Sequence, residues 1–232
     1  MVLMAQAART SAIDVWLATP DAAREFDPST LSREDRAAWD ALHTDRRRLD
    51  WASSRALLGV VPVAGHQASS LSHSHGFAAL ARAPGHIAVG VDVEWLAPRD
   101  FTSLARTAYS AAEADELEAL GDPSDLPSRF YETWTLKEAF AKALRLSLAD
   151  ALGTCCFTHA DGVAKATVPT SRRWRATVFA PRPQLRLAIV LVADAEDALA
   201  ASPATTEWPP ARAANWPVVR RLSGGGERTV TC

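Results

Sequence analysis

The sequence predicts an α+β protein, and three observations carry that reading. Residues 87–94 alternate apolar and polar positions, the period of a strand with one buried face, and residues 185–192 look like a second, more apolar strand. Residues 46–59 and 125–144 repeat apolar side chains at helical spacing. Each half of the chain gives helices first and strands afterwards.

In chain order, residues 12–18 look like a strand, closed by Pro20 and Asp21. Ser32 opens a helix with Glu34 and Asp35 at its positive end. The next helix, over 46–59, sets Trp51, Ala52 and Leu58 on one face and Arg48, Ser54 and Arg55 near a second. Arginines so placed could grip a phosphate in a two-pronged fashion, or form a solvated basic helix. Gly65–Ser70 reads as a loop or strand entry. A strand after Gly76, a turn at 83–85 and the 87–94 strand suggest a hairpin. His73, between two serines, could donate to a phosphate or ribose or be merely solvated.

Beyond Pro98, residues 104–109 read as a short helix, and Ser110 with Glu113 forms a capping-box pattern that opens another. The longest helical signal, 125–144, has Leu126, Phe130, Trp134, Phe140, Ala141 and Leu144 as its stripe. Segments 153–158, 163–168, 173–179 and 185–192 look like strands, with a turn at Asp161-Gly162. The last ~25 residues, rich in Ala, Pro, Thr and Gly, are expected to be loosely held.

Composition narrows the function classes. With 232 residues, 48% of them hydrophobic, the chain can bury one large core or two small ones. A net charge of −2 gives no broad basic footprint, which argues against nucleic acid as the partner. No apolar run approaches the ~18 residues of a membrane span, and no signal-peptide pattern opens the sequence. Three cysteines without zinc or disulfide spacing suggest free thiols in a reducing compartment. These features lead us to expect a soluble, cytoplasmic protein.

The most chemical stretch is Gly90-Val91-Asp92-Val93-Glu94. Ile87, Val89, Val91 and Val93 would face the core, leaving Gly90, Asp92 and Glu94 on the opposite face. The two carboxylates would then lie roughly 6.6 Å apart along the strand. Like charges so close call for a cation between them, and Mg²⁺ suits carboxylate oxygens and substrate phosphates. Gly90 would leave room for a ligand beside the backbone. Taken alone, the pentapeptide fits equally a solvent-facing strand with two surface acids.

Ser72-His73-Ser74, the pentapeptide and, about forty residues on, Trp134-Thr135-Leu136-Lys137-Glu138-Ala139-Phe140-Ala141-Lys142 follow one another in a known order. Together they resemble the Sfp-type 4′-phosphopantetheinyl transferases, whose pattern is G-(I/V)-D-(I/V)-E, then W-x-x-K-E-(A/S)-x-x-K, with S-H-S upstream. Arg55-Ala56-Leu57-Leu58-Gly59 is similar to the family's R-x-L-L-G helix. Two departures stand out: His75 intervenes before Gly76, and Val63-Ala64-Gly65-His66 occupies the place of a G-(K/R)-P element.

The resemblance implies a pseudo-two-fold pair of similar α+β halves, about 1–88 and 89–200, with the active site in the cleft between them and 201–232 as a flexible tail. It implies a holo-carrier-protein synthase: a serine of an apo acyl or peptidyl carrier takes the phosphopantetheine arm of CoA, and 3′,5′-ADP leaves. Asp92, Glu94 and Glu138 would hold Mg²⁺, or Mn²⁺. Glu138 and Lys142 would be catalytic. Arg48, Arg55, Ser72, His73, Lys137 and Lys142 would contact CoA, although Lys137 could instead brace the fold. Arg106, Arg129 and Arg145 would receive the acidic carrier. The protein is expected to act as a monomer. The alternative is a non-catalytic relative that binds CoA or carrier protein.

Overall fold

The computed structural model describes residues 13–61, 67–160 and 163–225, except the side chains of 159, 160 and 163. Strand β1 (Asp14–Ala18) leads to helices α1 (Arg33–Asp40) and α2 (Asp45–Val60), then to strands β2 (Gln67–Ser74), β3 (Phe77–Pro84) and β4 (Ala88–Trp95). Helices α3 (Phe101–Ala108), α4 (Ala111–Glu118), α5 (Leu126–Leu144) and α6 (Leu148–Thr154) follow. Strands β5 (Cys156–Ala160), β6 (Val163–Thr167), β7 (Arg173–Arg182), β8 (Leu185–Ala193), β9 (Ala204–Trp208), β10 (Arg212–Ala213) and β11 (Val218–Gly224) complete the chain. The fold is α+β, as expected.

Helix starts follow local chemistry. Ser32, Thr44, Asp100 and Ser147 each accept a backbone N–H two or three residues into their helices. Ser110 and Glu113 close the predicted capping box reciprocally.

The strands form one sheet of order β10–β9–β1–β3–β2, a second of order β11–β7–β8–β4, and a β5–β6 ribbon. Alternation makes the layers. Val15, Leu17, Ala79 and Ala81 meet Val89, Val91, Val93, Ile189 and Leu191 in a core between the two sheets. On the far side of the first sheet, Ala18, Ala78 and Leu80 pack on Ala56 and Leu57 of α2. On the far side of the second, Ala176, Val178, Ala188 and Val190 pack on Leu136, Ala139 and Phe140 of α5. The order is helix, sheet, sheet, helix. Each fully buried Val, Leu or Ile contributes about 1.5–3 kcal/mol relative to an exposed one.

The edge strands β2 and β4 lie side by side, one from each sheet. Serine hydroxyls join them at a nearly constant offset of twenty residues. Ser70 Oγ accepts from Val91 N at 3.0 Å, and Ser74 Oγ accepts from Trp95 N at 3.3 Å.

Several expectations are corrected. Strands β3 and β4 are consecutive but pair in different sheets, so they form no hairpin. Gly153 ends α6 rather than opening a strand. Residues 204–224, placed in the flexible tail, supply β9, β10 and β11. β9 pairs in parallel with β1, and β11 pairs antiparallel with β7. Composition could not show this, because a strand's stability comes from the long-range partner it finds. Cys155 is a buried free thiol, with burial pushing its pKa up to about 11. Cys156 is buried, with its Sγ 3.4 Å from Ser110 Oγ. The expectations for residues 62–66, the Asp161-Gly162 turn and residues 226–232 lie outside the described residues.

Candidate functional site

The alternation of β4 turns Gly90, Asp92 and Glu94 toward α5. At Gly90 there is no space for a ligand. An added Cβ would fall 1.9 Å from the Ala139 carbonyl oxygen, so the glycine serves close helix–strand approach and the expected ligand space is filled by α5. That approach lets Lys142 of α5 reach across. Its Nζ donates to Val91 O at 2.9 Å and to Asp92 Oδ1 at 2.9 Å. Lys142 therefore pairs with Asp92 rather than with Glu138, its i−4 neighbour.

Asp92 is 3% exposed and also accepts from Ser72 Oγ at 2.7 Å. Its second oxygen, Oδ2, is buried without a hydrogen-bond partner. Burial raises its pKa, against the lowering by Lys142 and Ser72. Glu94 accepts from Ser74 Oγ at 2.8 Å, and burial together with the charge of Asp92 and then of Glu138 lifts its pKa to about 7. Glu138 is half-buried on α5; burial and then the Asp92 charge raise its pKa, and Lys142 opposes them. Three carboxylates thus feel one another across β4 and α5.

That donor set fits a hard divalent cation. It has carboxylate oxygens only, mutual repulsion that a cation would relieve, and an orphaned buried acceptor in Asp92 Oδ2. The approach is incomplete, however. Among the described residues, no three His, Cys, Asp or Glu groups stand close enough to hold one ion as they lie, and Lys142 sits on the other Asp92 oxygen.

Other predicted site residues are placed differently. Lys137 is fully buried. It donates to Glu113 Oε2 at 2.9 Å, to Leu152 O at 3.2 Å and to the Cys155 carbonyl. It braces α5 against α4, α6 and β5 and cannot contact CoA, which corrects its assignment as a substrate contact. Arg55 is held by Asp35 of α1 at 2.8 Å and lies 4.6 Å from the Trp51 ring centre. Arg48 donates to Leu42 O at 3.0 Å and lies over Trp39. Both thus belong to a cluster of α1, α2, Phe26, Trp39 and Trp51, and none of these contacts is with Asp92, Glu94 or Glu138. His73 is exposed, its ring on the face of β2 opposite Ser72 and Ser74. Arg106 is bound by Asp115 and Glu118, and Arg129 by Glu116 and Glu132, so neither is a free cation for a carrier.

Sequence reading passed over Ser74, although serines 70, 72 and 74 at strand period signalled a row of hydroxyls on one face. It also passed over His75 as a site residue. Ser74-His75-Gly76-Phe77 is a two-residue hairpin turn with positive φ at His75 (52°) and Gly76 (82°). Asp50 of α2 accepts the Gly76 N–H and locks the turn. Burial lowers the His75 pKa, helped by the charges of Arg46 and Arg99.

A cavity of about 770 Å³ lies elsewhere, between β6 and β11, lined by Ala166, Trp174, Arg221 and Leu222. It gathers no carboxylate or imidazole. No helix among the described residues is long and apolar enough to cross a membrane.

Comparison with known proteins adds one finding. Residues 88–190 match the family model described as the 4′-phosphopantetheinyl transferase superfamily. The match covers less than half of the chain but runs from β4 into β8, and so includes Asp92, Glu94, Glu138 and Lys142. A search of curated proteins finds no match.

Proposed function

We propose that this chain is an Sfp-type, magnesium-dependent phosphopantetheinyl transferase of the holo-carrier-protein synthase kind, acting as a cytoplasmic monomer. Its substrates are CoA and an apo acyl or peptidyl carrier protein; its by-product is 3′,5′-ADP. One observation carries the reading: Asp92 and Glu94 on β4 meet Glu138 and Lys142 on α5 inside the segment that matches the superfamily.

Asp92, Glu94 and Glu138 would hold the metal, which supplies positive charge against the diphosphate as the transfer proceeds. Ser72 and Ser74 orient Asp92 and Glu94 by donating to them. Glu138, half-buried and with its pKa raised, is poised to take the proton of the carrier serine. The serine oxygen forms a bond to the β-phosphorus of CoA. The bond from that phosphorus to the bridging oxygen breaks, and the oxygen leaves with 3′,5′-ADP. Lys142 releases Asp92 and contacts the diphosphate. Arg48, Arg55 and His73 serve the nucleotide end of CoA; Arg55 exchanges Asp35 for a phosphate.

The test is direct. The protein is incubated with CoA, Mg²⁺ and an apo carrier protein, and the carrier is weighed by mass spectrometry. Addition of the phosphopantetheine mass, lost in Asp92→Ala and Glu138→Gln, supports the reading. CoA binding without addition overturns it in favour of a non-catalytic relative.

A further inference from the structure

The arrangement around Ser74 carries an inference that rests on the transferase reading and deepens it. A serine hydroxyl has one proton and two lone pairs. Ser74 spends its proton on Glu94 Oε2 at 2.8 Å and accepts the Trp95 N–H at 3.3 Å. Its remaining contact is with His75 Nδ1 at 3.1 Å, and with Glu94 ionised, as a metal ligand is, the imidazole donates it. These three contacts then hold the hydroxyl on Glu94.

The two acids differ in support. Asp92 receives Lys142 as well as Ser72. Glu94 receives Ser74, and among the described residues no second donor reaches it. The imidazole is itself fixed: His75 sits in the left-handed region, its turn is held by Asp50, and its ring centre lies 6.4 Å from that of Trp95. A non-glycine residue in that region recurs where surrounding structure dictates it.

We propose that His75 is a positioning residue, which orients Glu94 for the metal through Ser74. The test uses three full-length proteins: the parent, His75→Gly and His75→Asn. Glycine suits the backbone angle and removes the donor, so the deletion does not strain the turn. Asparagine tolerates the same angle and restores an N–H near the Nδ1 position. Mn²⁺ binding in the presence of CoA is read from the free-Mn²⁺ electron paramagnetic resonance signal, and transfer is resolved into kcat and KM for CoA.

We expect His75→Gly to weaken Mn²⁺ binding about tenfold or more and to lower kcat, with KM for CoA unchanged. His75→Asn should recover most of both. His75→Gly binding Mn²⁺ like the parent, or His75→Asn as weak as His75→Gly, overturns the assignment. A parent that neither binds Mn²⁺ nor transfers overturns the transferase reading and takes this inference with it. A competent parent beside an unaffected His75→Gly overturns the role of His75 alone.

Discussion

Lys137 and Lys142 leave the same helix about 140° apart, and their surroundings use an ammonium in opposite ways. Lys137 has no exposed surface. Its charge is spent on Glu113, which also accepts the Phe157 N–H at 2.8 Å and caps α4 with Ser110, so one ammonium ties together α4, α5, α6 and β5. Lys142 is 29% exposed along its side chain and rests on Asp92, an acid with one oxygen still unsatisfied. The first contact is complete. The second can be exchanged for another cation. Two lysines in one motif thus divide into one that holds the fold and one that faces the site.

The largest effect should come from breaking the complete contact. Lys137→Met leaves Glu113 buried and unpaired, so denaturant unfolding should show a loss of about 3–5 kcal/mol. Stability close to the parent's would mean that the Lys137 side is as exchangeable as the Lys142 side.

Next is the pH response of the metal-free protein. Glu94 is held near 7 against an ordinary 4.5. Between those values the folded protein binds more protons than the unfolded chain, so stability falls as pH rises through that window. The fall should reach up to about 3 kcal/mol. Unfolding curves at pH 5 and pH 8 with a chelator present should show it, and Glu94→Gln should flatten the difference. An equal slope in both proteins would remove Glu94 as its source.

Lys142→Met should lose somewhat less, about 1.5–3 kcal/mol, because Ser72 still serves Asp92. Its folded fraction should transfer poorly, whereas the folded fraction of Lys137→Met should transfer normally. The smallest effect belongs to the exposed side of α3. Arg106 already sits among Asp115 and Glu118, so Arg106→Ala should leave melting unchanged and shift the carrier KM by about twofold or less. A large rise in carrier KM would reinstate Arg106 as a docking residue.

Much of this was legible in the sequence wherever a short-range period or a local cap decides the outcome. Alternation in 87–94 put Val89, Val91 and Val93 in the core and Asp92 and Glu94 on one face, as found. The Ser110 and Glu113 capping box and the long helix ending at Leu144 were equally local. Spacing could not separate Lys137 from Lys142, because what surrounds Lys137 is assembled from Glu113, Leu152 and Cys155, brought together only by folding. The same limit hid the hold of α5 on Gly90, which depends on the Ala139 carbonyl forty-nine residues away. It also hid the ordered C-terminal strands. Arg220 of β11 is buried against Glu132 of α5, with burial drawing its pKa down to about 10. Nothing in the Ala- and Pro-rich composition before it announces that contact.

The central claim is that Asp92, Glu94 and Glu138 share one metal against a diphosphate. The measurement that tests it most directly is a crystal structure with CoA and Mn²⁺, with the metal located by its anomalous scattering. We predict one Mn²⁺ peak within bonding distance of all three carboxylates and of the CoA diphosphate, with Lys142 moved from Asp92 onto phosphate. A bound CoA with Lys142 still on Asp92 and Glu138 directed away from the metal would contradict the account.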